Sequence, residues 1–221
     1  GHKLEVLHDG VPIHAFAITE APPTVTLQSP NGGETMTGRQ TVTWTRSDQD
    51  STDLVANLLY SSDGGITFTP AAVGIKGTSA VVDFSLLPGS TDSILKVEVS
   101  DGFNLASDTS DAPFNVPKKS PEAYIAEEMD GASYVINKPI EFEGGGYDLE
   151  DGLLTGAAVT WTSDRDGVLG QGEDLALDTL SSGFHTITVE VTDSDGNTAQ
   201  AQAVITVLQD SDNDGLPDTY E

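Results

Sequence analysis

Leu95-Lys-Val-Glu-Val-Ser-Asp-Gly102 places apolar side chains at 95, 97 and 99, polar ones between them, and a turn at its end. Alternation with period two over such a run is the pattern of a half-buried β-strand. The stretch returns as Ile187-Thr-Val-Glu-Val-Thr-Asp193. Its neighbours return with it: Val42 and Trp44 are answered by Ile140 and Phe142, Leu58 and Tyr60 by Val159 and Trp161, and the Val82 strand by Leu175 and Leu177. The offset runs from about 98 to about 92 residues, so the loops differ while the strand order holds. Short strands spaced by turn residues, with no helix-period segment of useful length, predict an all-β chain of two tandem sandwiches, each of roughly seven strands.

Outward from that repeat, the chain divides at its turn residues. Residues 1–23 hold two alternating runs about Asp9-Gly10, a predicted β-hairpin closed off by Ala21-Pro-Pro23. It reads either as the end of a preceding domain or as extra strands on the first sandwich. Residues 24–117 are the first sandwich and 118–208 the second, with the polar linker Pro117-Lys-Lys-Ser-Pro121 at their junction. Residues 209–221 form a separate acidic segment.

Composition narrows the partners. Nine Lys and Arg stand against 36 Asp and Glu, a formal net charge of -27. Such a surface repels nucleic acid and anionic membranes and attracts divalent cations; salt adaptation is a second source of the same acidity. Cysteine is absent, which removes disulfides and thiolate metal sites. No apolar run is long enough to span a bilayer, so direct membrane insertion is not expected. The chain is expected to be part of something longer.

The last twelve residues, Asp210-Ser-Asp-Asn-Asp-Gly-Leu-Pro-Asp-Thr-Tyr-Glu221, carry carboxylates at loop positions 1 (Asp210), 3 (Asp212), 5 (Asp214), 9 (Asp218) and 12 (Glu221). Gly215 falls at position 6, where the chain must turn, and the Leu216 carbonyl at position 7. Calcium needs six to eight oxygens, and a tight turn of alternate carboxylates supplies them, so calcium is the expected cofactor. The preceding Ala203-Val-Ile-Thr-Val-Leu208 is a β-type run and Pro217 sits at position 8, so the flanks are not those of an EF-hand. The segment instead resembles the calcium repeats of thrombospondin type 3 and dockerin-like segments, which implies a secreted protein.

Further resemblances lie in the sandwiches. Ser29-Pro-Asn-Gly-Gly-Glu34, Thr41-Val-Thr-Trp44 and Tyr60-Ser-Ser-Asp-Gly-Gly65 look like fibronectin type III or immunoglobulin-like modules of prokaryotic surface proteins. Tyr147-Asp-Leu-Glu-Asp-Gly152, Trp161-Thr-Ser-Asp164 and Val191-Thr-Asp-Ser-Asp-Gly-Asn197 look like the polycystic-kidney-disease and cadherin-like modules of the same proteins, although the Trp-Asp-Phe-Gly-Asp-Gly signature is missing. The resemblance implies immunoglobulin-like sandwiches serving as spacers, adhesion domains or accessories to secreted hydrolases. In that topology the loop Asp148-Leu-Glu-Asp151 and the loop Asp193-Ser-Asp-Gly-Asn197 share one pole, with Asp164 and Asp166 at the other. Asp148, Glu150, Asp151, Asp193 and Asp195 are therefore either calcium ligands or turn formers. Asp48, Asp50, Asp53 and Asp101 are weaker counterparts in the first sandwich.

No catalytic constellation stands out. His2, His8, His14 and His185 show no metalloprotease spacing, and His2, His8 and His14 are expected at the surface; Trp44 and Trp161 alternate onto the core face. The expectation is a non-enzymatic, secreted or cell-surface module pair made rigid by calcium. Its expected partners are neighbouring domains of a longer chain and cell-surface glycans or proteins. The alternative is a carbohydrate- or protein-binding accessory module of a larger secreted hydrolase, which an exposed row of aromatics on one sheet would favour.

Overall fold

The computed structural model describes residues 3–17, 20–212 and 215–220. The chain falls into two compact units, Gly1–Lys118 and Lys119–Glu221. Among the described residues the only helical pieces are short 3-10 turns, and none is long and apolar enough to cross a membrane.

The first unit opens with a hairpin, β1 (Lys3–His8) and β2 (Val11–Ala17), turning at Asp9 and Gly10, both at positive φ. Its other strands are β3 (Thr24–Ser29), β4 (Arg39–Ser47), β5 (Val55–Ser61), β6 (Thr69–Ile75), β7 (Ser79–Asp83), β8 (Ser90–Ser100), β9 (Leu105–Thr109) and β10 (Phe114–Val116). They form one sheet in the order β3-β4-β7 and another in the order β10-β8-β5-β6, with β9 also on β8. The inward set of each strand meets between the sheets: Leu27, Val42, Trp44 and Val82 from one side, Leu58, Tyr60, Leu95, Val97 and Val99 from the other. Tyr60, Phe84 and Phe114 pack ring against ring at 6.1–6.4 Å between centroids. The Tyr60 hydroxyl donates to the Pro88 carbonyl at 2.6 Å, so its polar end is satisfied inside the core.

The second unit holds β11 (Glu122–Ile125), β12 (Ser133–Val135), β13 (Ile140–Asp148), β14 (Gly152–Leu154), β15 (Val159–Ser163), β16 (Gly167–Gln171), β17 (Asp174–Leu177), β18 (Gly183–Thr192) and β19 (Thr198–Leu208). One sheet runs β12-β19-β18-β15-β16; the other is built on β13, which pairs with β11, β14 and β17. Strand for strand, β13, β15, β17 and β18 stand where β4, β5, β7 and β8 stand in the first unit, as the sequence repeat requires. The fold is therefore two tandem immunoglobulin-like β-sandwiches, defined by this shared strand order. Trp161 is fully buried, donates its indole N–H to the Gly172 carbonyl at 2.8 Å, and needs the missing side chain of Gly144 to fit.

Candidate functional site

The acidic C-terminal segment is tied to the second unit by ordinary backbone logic. β19 runs parallel to β12, and the Ile136 N–H donates to the Leu208 carbonyl at 3.0 Å, which carries the pairing to the last residue of β19. Asp210 then turns inward and is only 4% exposed. Its Oδ2 accepts the Gly215 N–H at 2.9 Å, the bond from loop position 1 to position 6 that closes the turn. Gly215 sits at φ +99°, where a side chain would be strained, and the Lys138 side chain lies beside it. Asp218 closes the far end: its two oxygens accept the Ser211 N–H and hydroxyl, each at 2.7 Å, and its own N–H donates to the Gln209 carbonyl at 2.9 Å. The Ser211 hydroxyl and amide hold the Asp218 carboxyl below the usual range.

What the loop leaves open is an oxygen. Asp210 Oδ1 is buried, and no hydrogen-bond donor among the described residues reaches it. A buried carboxylate oxygen without a partner is costly, and a hard cation is one way to satisfy it. Asp212 and Leu216 are exposed, with Leu216 at 55%, while Asp214 and Glu221 lie outside the described residues. The donor set fits calcium in kind: carboxylates, one carbonyl and a glycine at the turn.

The pole of the second sandwich is arranged differently. Asp148 is 2% exposed, and its Oδ1 accepts the N–H groups of Glu150 at 2.8 Å and Asp151 at 3.0 Å. Asp193 does the same at the end of β18, accepting from the N–H groups of Asp195 and Asn197 and from the Asn197 amide nitrogen, at 2.8–2.9 Å. Burial alone would raise the Asp193 carboxyl, but these donors outweigh it and hold it below the usual range. Asp151 reaches across and accepts the Ser194 N–H at 2.7 Å and hydroxyl at 2.9 Å, which fastens the two loops together. Glu150 accepts the Lys119 N–H at 3.2 Å. Asp148 and Asp193 thus cap their own turns, Asp151 clamps the two loops and Glu150 accepts a backbone N–H, while Asp148 Oδ2, like Asp210 Oδ1, is buried without a donor among the described residues. Among those residues, no three His, Asp or Glu side chains are grouped so as to hold a metal ion.

The first unit repeats this device. Asp48 Oδ1 accepts the N–H groups of Asp50 and Ser51, both at 2.8 Å, as Asp148 does two and three residues on. Asp101 accepts those of Phe103 and Asn104 and the Asn104 side chain, as Asp193 does. Asp50 accepts the Glu20 and Ala21 N–H groups, and Asp53 pairs with Lys76 at 3.2 Å. An Asp that ends β4 or β13 and another that ends β8 or β18 cap the loops of the same pole in both units.

His185, for which the sequence reading gives no placement beyond the lack of metalloprotease spacing, is fully buried. It shares parity with Ile187, Val189 and Val191 on β18, so the strand's alternation sends it inward; that parity was the available signal. Its ring is satisfied on both sides, with Nδ1 2.9 Å from the Ser163 hydroxyl and Nε2 2.7 Å from the Ser181 carbonyl. Asp164 and Asp166 lie at this end, opposite the Asp148 pole, where Asp164 accepts the Thr186 N–H and Asp166 binds Ser181.

No protein-family profile matches the chain, and no curated protein does. Solved structures do. The fibronectin(III)-like modules of Clostridium thermocellum CbhA are 16% identical, with 84% of this chain and 95% of that one covered at a TM-score of 0.36. The titin A168169 fragment is 12% identical over 85% of this chain and 99% of that one, at 0.38. The N-terminal four immunoglobulin domains of Dscam1 isoform 4.44 are 10% identical over 86% of this chain and 48% of that one, at 0.40. With each of these three scores below 0.5, the fold assignment rests on the strand order and register set out above.

Proposed function

We propose that the chain is a non-catalytic, secreted or cell-surface pair of spacer or adhesion modules, joined to neighbouring domains of a longer chain, with a calcium site in its C-terminal loop. The observation that carries the proposal is Asp210: a carboxylate 4% exposed, one oxygen closing the loop on Gly215 and the other without a donor among the described residues. Asp210, Asp212, Asp214, Asp218, Glu221 and the Leu216 carbonyl would hold the ion, whose contribution is to neutralise carboxylates that otherwise repel. The non-catalytic reading is supported by the Asp148 pole. Asp148, Asp151 and Asp193 each accept backbone N–H groups, and Asp193 is held low, where a general acid needs a raised pKa.

The test is calorimetric titration with calcium of the whole chain beside the Asp210→Asn and the paired Asp212→Ala, Asp214→Ala variants. One ion is expected at about 10⁻⁴ to 10⁻³ M, the range of extracellular modules, and it is lost in both variants. Equal calcium uptake by all three proteins would overturn the site.

A further inference from the structure

The outer face of the sheet formed by β11, β13 and β14 presents aromatics to solvent. Strand alternation sends Glu122 and Tyr124 of β11, Glu143, Gly145 and Tyr147 of β13, and Leu153 of β14 to this one side. In register, Tyr124 stands beside Gly145, and Tyr147 stands between Glu122 and Leu153. Tyr124 is 51% exposed, Tyr147 49% and Leu153 71%. A Cβ on Gly145 would lie 3.4 Å from the Tyr124 hydroxyl oxygen and 3.5 Å from its Cε1. The ring therefore leans across the neighbouring strand over the bare glycine, instead of standing away from the sheet. A ring laid down in this way offers one face to solvent. Two half-exposed tyrosines and a leucine on adjacent strands make a contiguous apolar strip of the kind that marks a binding surface.

Charge selects the occupant. Glu122 and Glu143 border the strip, and the chain carries -27 overall, so nucleic acid, an anionic membrane and a second copy of this chain are all repelled at close range. A neutral glycan is not. A pyranose ring has an apolar C–H face that stacks on an aromatic ring and hydroxyls around its edge that donate to carboxylates and exchange hydrogen bonds with tyrosine hydroxyls. We propose that this face binds a neutral glycan chain, with sugar rings stacked on Tyr124 and Tyr147 and hydroxyls held by Glu122 and Glu143. The calcium loop plays no part in this surface.

Affinity electrophoresis of the whole chain in native gels cast with a soluble β-glucan, a xylan or a glucomannan tests the proposal, together with pull-down on insoluble cellulose and chitin. Both are run in calcium and in excess chelator. At least one neutral glycan should retain the protein. Tyr124→Ala and Tyr147→Ala should each weaken retention about tenfold, the double variant should abolish it, and Tyr124→Trp should keep it. Because both side chains are exposed, unchanged melting temperatures are the control for folding. Absence of retention on every glycan would overturn the proposal, as would retention that the double variant leaves intact. Self-association removed by the double variant would assign the face to a second copy and overturn it as well. Retention that persists in chelator, in a protein that takes up no calcium, upholds the glycan face and removes only the calcium site.

Discussion

Asp63 shows what one carboxylate contributes to this chain. It sits in the loop between β5 and β6, where the Ser61 hydroxyl donates to it at 2.6 Å, the Thr67 hydroxyl at 2.6 Å and the Thr67 N–H at 2.9 Å. The Ser61 and Thr67 hydroxyls and the Thr67 amide pull its pKa down to about 2 from an ordinary 3.8. A carboxyl whose folded pKa is depressed adds stability that is complete above its unfolded pKa and disappears as pH falls through its folded pKa. The expected outcome is a fall in the melting temperature of the first unit between about pH 4 and pH 2, with the Asp63→Asn variant less stable at neutral pH and flatter across that window. Melting curves taken at half-unit pH steps read this directly. Parallel pH profiles for the two proteins would show that Asp63 is not responsible. The residue itself was legible as a turn former in Ser62-Asp-Gly-Gly65, but its donors come from Ser61 and Thr67 on either side, and a turn pattern does not say which side chains will point at one oxygen.

At the level of the strand, β13 is the informative element. Its Gly144-Gly-Gly146 run looks like a weak strand by propensity, since glycine adds no packing and loses the most freedom on folding. Tertiary packing explains it. An added Cβ at Gly144 would stand 2.7 Å from the Tyr124 carbonyl oxygen and 2.8 Å from the Trp161 ring, and one at Gly146 would meet the Glu122 carbonyl and Val191 at 2.8 Å. Gly145 faces outward, where the nearest atom is 3.4 Å away on the Tyr124 side chain. Gly144→Ala should therefore destabilise the second unit by about 1–3 kcal/mol, while Gly145→Ala stays within about 0.5 kcal/mol of the parent. Denaturant titration of the two variants separates them. Equal stabilities would mean that Trp161 and β11 yield more easily than a packed core should.

On the scale of the whole molecule, each unit has its own buried core, with Trp44 and its neighbours in one and Trp161 and its neighbours in the other. A unit with a core of its own should unfold by itself. Cutting the chain within residues 117–121 is expected to yield two fragments that both fold, each with a cooperative melt. Unfolded fragments from a parent that melts in one step would show that the two cores are a single folding unit.

Much of this was carried by local pattern. The alternation in Leu95–Val99 and Ile187–Val191 determined which side chains face inward, because successive residues of a strand point to opposite faces whatever surrounds them. The repeat determined the strand order, and the spacing of Asp210, Asp212, Asp214 and Gly215 determined the loop that calcium would suit. Tertiary structure decided the rest. The clamp at the pole of the second unit is one case: Asp151 accepts from the amide and hydroxyl of Ser194, which lies on a loop more than forty positions away. Which groups satisfy the buried His185 ring, Ser163 and Ser181 from outside its strand, was settled there too, and the exposed tyrosines gathered on one face because β11, β13 and β14 paired in register. Periodicity is a property of a short segment, and a segment carries it alone. A hydrogen bond or a shared face between distant segments exists only once the chain has closed upon itself.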